Sequence, residues 1–270
     1  MKFSALATVA LATEFALAAR YTEKRRERHA ARAASRQSNP RLPATDKGGL
    51  EIDSTVNGTS HEEYSSNWAG AVLIGTGYTS VTGTFVVPTP SEPSGGSSGT
   101  EYAASAWVGI DGDTAQNSIL QTGVDFYVEG SEVSYDAWYE WYPDYAYDFS
   151  GISISAGDTI TVTVTATSKS AGTAVVKNVS KGTSVTHTFS SESNALEELN
   201  AEWIVEDFSQ GGSLVPFADF GTVTFTGATA TDSSGSVGPS GATLIDIKQD
   251  GEVLTSSSTT STSVTVEYVG

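Results

Sequence analysis

Between Thr159 and Thr167 apolar and polar residues alternate without interruption, with Ile160, Val162, Val164 and Ala166 on one side and threonines on the other. A period of two marks a strand that is half-buried against a core. Similar runs recur at 68–74, 79–87, 103–110, 119–128, 135–143, 173–179, 185–189, 202–208, 217–226, 243–247 and 263–268. Their valines, isoleucines, threonines and aromatics suit a pleated, half-buried surface. Gly, Ser, Asp and Pro punctuate them, and the longest breaks fall at 88–100 and 231–241. Only 193–200 reads as a helical turn, with a second short helix inside the basic stretch 24–36. Many strands without a βαβ rhythm predict an all-β, two-sheet antiparallel β-sandwich.

The stretch 135–143 is the most informative of these runs. As a strand it places Asp136, Trp138, Glu140 and Tyr142 on one face and Tyr135, Ala137, Tyr139 and Trp141 on the other. Carboxylates between large aromatics are costly to bury unpaired, so a cleft that binds peptide or sugar suits that face. An ordinary sandwich strand with a wet outer face is the plainer alternative. The run 202–208 alternates too, setting Glu202, Ile204, Glu206 and Phe208 on one face. A Glu between Ile204 and Phe208 has the apolar surroundings that raise a carboxyl pKa and suit a general acid or base. Gln121 interrupts the otherwise apolar Ile119-Leu120-Gln121-Thr122-Gly123. Its amide either donates to a developing oxyanion or caps a neighbouring strand.

Composition narrows the chemistry. Residues 1–19 pair Lys2 with an apolar run ending Ala16-Leu17-Ala18, the pattern of a secretory signal peptide. Residues 20–61 read as a basic propeptide and linker, and 62–270 as the sandwich domain. Residues 1–61 hold 10 of the 14 basic side chains and 6 of the 32 acidic ones, which leaves 62–270 with a formal charge of −22. Such a polyanion excludes nucleic acid and acidic membrane surfaces as partners, and no later run is long enough to span a bilayer. Its self-repulsion fades as carboxylates protonate, which points to an acidic working environment. The expected product is a secreted, extracellular monomer. With no cysteine, thiol nucleophiles, disulfides and thiolate metal sites all fall away. The lone downstream His187 disfavours a Ser-His-Asp triad, and no metal or other cofactor is expected. Asn57-Gly58-Thr59 and Asn178-Val179-Ser180 have the form of glycosylation acceptors, and only the second lies in the domain.

Five motifs together resemble the fungal glutamic peptidases, the eqolisins. They are Ser66-Asn67-Trp68-Ala69-Gly70-Ala71, Ser105 through Asp113, Ile119 through Gly123, Tyr135 through Pro143 and Asn200 through Phe208. The resemblance runs from about Tyr64 to the C-terminus. It implies a concanavalin-like sandwich of two sheets of about seven strands, and an acid endopeptidase acting on polypeptides. It also implies that Gln121 and Glu206 are the catalytic pair, with Trp68, Trp107, Asp111, Asp136, Trp138, Glu140 and Tyr142 lining the substrate cleft. The aspergilloglutamic-type pattern carries a cysteine where this chain has Ala115 and another near Glu197, so the usual staple is lost as a pair. The sign contrast between 20–61 and the rest makes the chain's own propeptide the expected inhibitor, released at low pH. Acid pairs beside aromatic platforms serve glycoside hydrolases and carbohydrate-binding sandwiches as well, and those are the competing readings.

Overall fold

The computed structural model describes residues 32, 34–44 and 62–270. Among them, thirteen strands of five residues or more carry the fold. In chain order they are β1 (Trp68–Ile74), β2 (Ser80–Val86), β3 (Glu101–Ile110), β4 (Ile119–Glu129), β5 (Glu132–Tyr142), β6 (Thr159–Ser168) and β7 (Ala171–Asn178). After them come β8 (Thr183–Ser190), β9 (Asn200–Glu206), β10 (Thr222–Asp232), β11 (Thr243–Gln249), β12 (Thr255–Thr259) and β13 (Ser263–Tyr268). The back sheet runs β8-β7-β6-β2-β10-β13-β12, seven strands in antiparallel order. The front sheet runs β11-β1-β9-β3-β4-β5. Glu62–Ser65 joins it, pairing parallel with β11, and short edge strands extend both sheets. The two-sheet sandwich expected from the alternation is the architecture observed.

Each sheet turns its apolar register inward. Ile160, Val162 and Val164 of β6 meet Val108, Leu120, Val124, Trp203 and Val205 of the front sheet in one continuous core. The threonines left outside on the back sheet pair across strands, as in Thr82–Thr163 at 2.7 Å and Thr84–Thr161 at 2.8 Å. These contacts add to the ladder where water already solvates the sheet. The front sheet differs because both its faces are covered. Trp68, Val72, Trp107, Ile119, Trp138, Ile204 and Ile245 form a second apolar cluster on its outer face. That double burial leaves β9 with no exposed residue at all.

Three expectations need correction. Residues 193–200 form no helix but an irregular approach to β9, with Glu198 at φ 64°. Most of the basic stretch, and with it the expected short helix, lies outside the described residues; Arg32 is helical, and the end of the stretch, Arg36–Gln37, is extended instead and pairs antiparallel with Ser209–Gln210. Asn178 is buried, its amide donating to Ser153 O at 3.0 Å and Asp158 Oδ2 at 2.8 Å, so this fold gives a glycan no access. The signal-peptide reading and Asn57 fall outside the described residues. His187 is half-buried, stacked on Tyr139 with ring centres 3.9 Å apart.

Candidate active site

Strand register sets the outer face of the front sheet as a grid. Across β1, β9, β3, β4 and β5, one row reads Trp68, Glu206, Ser105, Asp125 and Asp136. The next reads Gly70, Ile204, Trp107, Gly123 and Trp138. The third reads Val72, Glu202, Gly109, Gln121 and Glu140. Residues directly opposite in adjacent strands share a face, so these side chains all rise from one surface. Gly123 is bare for a reason: a Cβ there would stand 2.5 Å from Trp107 Cβ and 2.4 Å from Ala106 O.

Residues 34–44 lie across this surface. The Arg36 guanidinium is gripped by both oxygens of Asp125, at 2.9 Å each, and donates to Glu140 Oε2 at 3.1 Å. It also donates to Ser38 and Ser105, and lies 3.7 Å over the Trp138 ring. Bidentate pairing plus a stacked aromatic face is the geometry in which arginine binds best. Burial alone would lower its pKa, but Asp125, then Glu140 and Glu206, outweigh it and hold the guanidinium charged. Arg32 pairs with Glu101 and reaches within 3.9 Å of Asp136. Arg41 donates to Asp113 at 2.9 Å. Arg41 also pairs with Glu63, so three arginines of the basic segment sit on six carboxylates of the acidic domain.

Glu206 lies beneath the segment, fully enclosed. Its Oε1 accepts the Asn39 peptide N–H at 3.0 Å and its Oε2 accepts the Trp107 indole N–H at 2.9 Å. Burial pushes its pKa up to about 7, against the opposing pull of Arg36, Ser38, Asn39 and Trp107. Trp68 completes the lining by donating its indole N–H to Asn39 O at 2.9 Å. Gln121 is buried on the same face, and neither atom of its amide has a hydrogen-bond partner among the described residues. Glu140 is pushed well above the usual carboxylate range by burial, which Arg36 and the Ser38 N–H only partly oppose. A carboxyl held by two N–H donors and a free amide on one surface are the parts needed to activate water and bind an oxyanion.

The structure brings Gln121, Glu206, Trp68, Trp107, Trp138 and Glu140 to one face. Asp136 sits at its edge and Tyr142 packs beside the apolar cluster. Asp111 is placed elsewhere. Its carboxylate accepts the backbone N–H groups of Glu197, Glu198, Leu199 and Asn200 at 2.6, 2.9, 2.7 and 3.3 Å, so it fastens a loop instead of lining the groove. Asp125, Ser105 and the segment residues Arg36, Ser38 and Asn39 were missed by sequence reasoning. Asp125 was within reach of it, because it follows Gln121 by four positions on the same strand and therefore shares its face.

Comparison with known proteins agrees with this geometry. The profile of the peptidase A4 family matches residues 66–268. The chain is 60% identical to aspergillopepsin-2 of Aspergillus niger over 286 aligned positions, all of both chains. It is 40% identical to scytalidopepsin B of Scytalidium lignicola over 254 positions, 91% of this chain and 89% of that one. Its fold superposes on scytalido-glutamic peptidase solved with a transition-state analogue inhibitor, with a TM-score of 0.70, 43% identity, and coverage of 76% and 98% of the two chains. The chain belongs to the peptidase A4 family, the glutamic peptidases or eqolisins.

Proposed function

We propose that Gln121 and Glu206 are the catalytic pair of a secreted acid endopeptidase, and that residues 34–44 belong to a pro-segment holding it inactive. The observation that carries this reading is the Asn39 peptide N–H on Glu206 Oε1 at 3.0 Å, which lays a polypeptide main chain directly over the candidate base. In catalysis a water takes the place of that contact. Departure of the segment opens Glu206 to water and lifts the burial that raises its pKa, and the ionised carboxylate removes a proton from the water as it attacks the scissile carbonyl carbon. The resulting oxyanion accepts a hydrogen bond from Gln121 Nε2, and Glu206 then passes its proton to the leaving amine. Trp107 steadies the carboxyl of Glu206 throughout. The likeness to scytalido-glutamic peptidase, solved with a transition-state analogue inhibitor, supports hydrolysis of peptide bonds as the reaction.

Inhibition follows from the same contacts. Arg36 fills the acidic end of the groove, and its attraction depends on carboxylates remaining ionised. Acid protonates them, and the segment leaves. Incubating the precursor at pH about 3–4 is expected to shorten it near residues 60–64 and release peptidase activity. Glu206→Gln and Gln121→Ala should abolish both, while Arg36→Ala should release activity at a higher pH than the parent chain needs. Self-cleavage that persists in Glu206→Gln would reject the pair.

A further inference from the structure

Glu202 lies on the catalytic face without a task in the chemistry above. It is fully enclosed, and neither of its carboxyl oxygens has a hydrogen-bond partner among the described residues. Gln121 is in the same condition two strands away. Between them stands Gly109, paired with Glu202 on one side and Gln121 on the other. A single point above Gly109, where a Cβ would be, lies 2.6 Å from Glu202 Oε1 and 3.4 Å from Gln121 Cβ. The same point lies 2.9 Å from Trp107 Cζ3, so the carboxyl and the glutamine flank the edge of the indole over a bare stretch of backbone. Buried polar atoms of this kind pair with one another or through solvent, since leaving them unpaired costs about 1–3 kcal/mol each.

Building on the catalytic pair proposed above, we infer that Glu202 is a positioning residue, whose protonated carboxyl donates to Gln121 Oε1 across one water and so turns Gln121 Nε2 toward the oxyanion. An amide has two faces of opposite sense, and something must choose between them. A neutral acid chooses correctly because it offers a donor to the oxygen. An ionised one accepts from Nε2 instead and withdraws the donor that the reaction uses.

The surroundings keep that proton in place. Burial raises the Glu202 pKa well above the usual range, and the charges of Asp111 and Asp113 add to it. Arg41 is shared between Asp113 and Glu63, and Arg36 faces Asp125 and Glu140. Glu140 lies beyond Gln121 in the same row and Glu206 two rows away on β9, so both add negative charge when ionised. β1 contributes only Val72 opposite Glu202. Two carboxyls with opposite requirements then bound the working range, since Glu206 must lose its proton and Glu202 must keep one.

The test compares kcat and KM against pH for the acid-activated protein and its Glu202→Gln, Glu202→Leu, Gln121→Ala and Gln121→Ala/Glu202→Leu variants. Glu202→Leu is expected to lower kcat by about 10–10²-fold with KM nearly unchanged, less than the roughly 10²–10³-fold for deleting an oxyanion donor. Glu202→Gln should restore most of that loss and move the alkaline limb of kcat upward, because an amide donates at every pH. In the Gln121→Ala background, Glu202→Leu should cost nothing more. An unchanged alkaline limb in Glu202→Gln, or equal losses in both backgrounds, overturns the inference. If Glu202→Leu fails to fold, the limb of Glu202→Gln decides alone. Full activity in Gln121→Ala would instead overturn the catalytic pair.

Discussion

Gly109 is bare because a side chain there would press on the groups around the candidate pair. A methyl group there would meet Glu202 Oε1 at 2.6 Å and Trp107 Cζ3 at 2.9 Å, both movable side-chain atoms. The backbone is therefore expected to tolerate Gly109→Ala, while Glu202, Trp107 and Gln121 shift. Misplacement of catalytic groups by about 1 Å costs on the order of 10²-fold in rate. Gly109→Ala should fold with nearly the parent melting temperature and lose about that much kcat. Unchanged kcat in a folded variant would show that the floor has slack that the packing does not reveal. Gly123 is less forgiving, because a Cβ there meets backbone at Ala106 O, 2.4 Å away.

The approach to β9 shows how an element is fixed from a distance. Residues 193–200 contain Ala195, Leu196, Glu197, Glu198 and Leu199, good helix formers by local preference. Four consecutive backbone N–H groups are nevertheless captured by the Asp111 carboxylate, which leaves no ladder for a helix. Asn200 reinforces this by accepting from Thr114 N and Ala115 N and donating to Thr114 Oγ1. Ser118 also donates to Ala195 O at 2.8 Å. These bonds join the two segments where the related pattern carries a disulfide, worth on the order of 2–4 kcal/mol. Asp111→Ala strands four donors, each bond to a charged acceptor being worth about 1.5–3 kcal/mol. It is expected to lower the melting temperature by roughly 10 °C or more, whereas a loss of activity at full stability would place Asp111 in the groove after all. Local pattern therefore revealed the strands, because a period of two is visible within each one. It also revealed Gln121 and Glu206 as polar residues out of place in apolar runs. The loop at 193–200 and the extended course of Arg36–Gln37 depend on partners far away in sequence, Asp111 and Ser209–Gln210, and alternation carries no information about those pairings.

For the molecule as a whole, buried carboxyls set how stability depends on pH. Glu206, Glu202, Glu140, Asp207 and Asp111 all have pKa values raised by burial above their ordinary ones. Each holds a proton in the folded chain at pH values where the unfolded chain has lost it. Stability then falls as pH rises, beginning at the ordinary carboxyl value of 4.5 for a glutamate and continuing, for Glu206, through about 7. Asp158 and Asp232 are lowered, so what they contribute is lost only in stronger acid, below their ordinary 3.8. Mutual repulsion among the acidic groups of 62–270 acts in the same direction as the raised carboxyls. Thermal unfolding of the Gln121→Ala precursor, expected not to cleave itself, should therefore give a higher melting temperature at pH 4.5 than at pH 7.5. Removing Glu202 as Glu202→Gln should flatten that slope, since one of the groups that must release a proton is gone. A melting temperature that climbs from pH 4.5 to 7.5 would mean that these carboxyls are ionised in the folded chain, and the acid-poised groove would lose its physical basis.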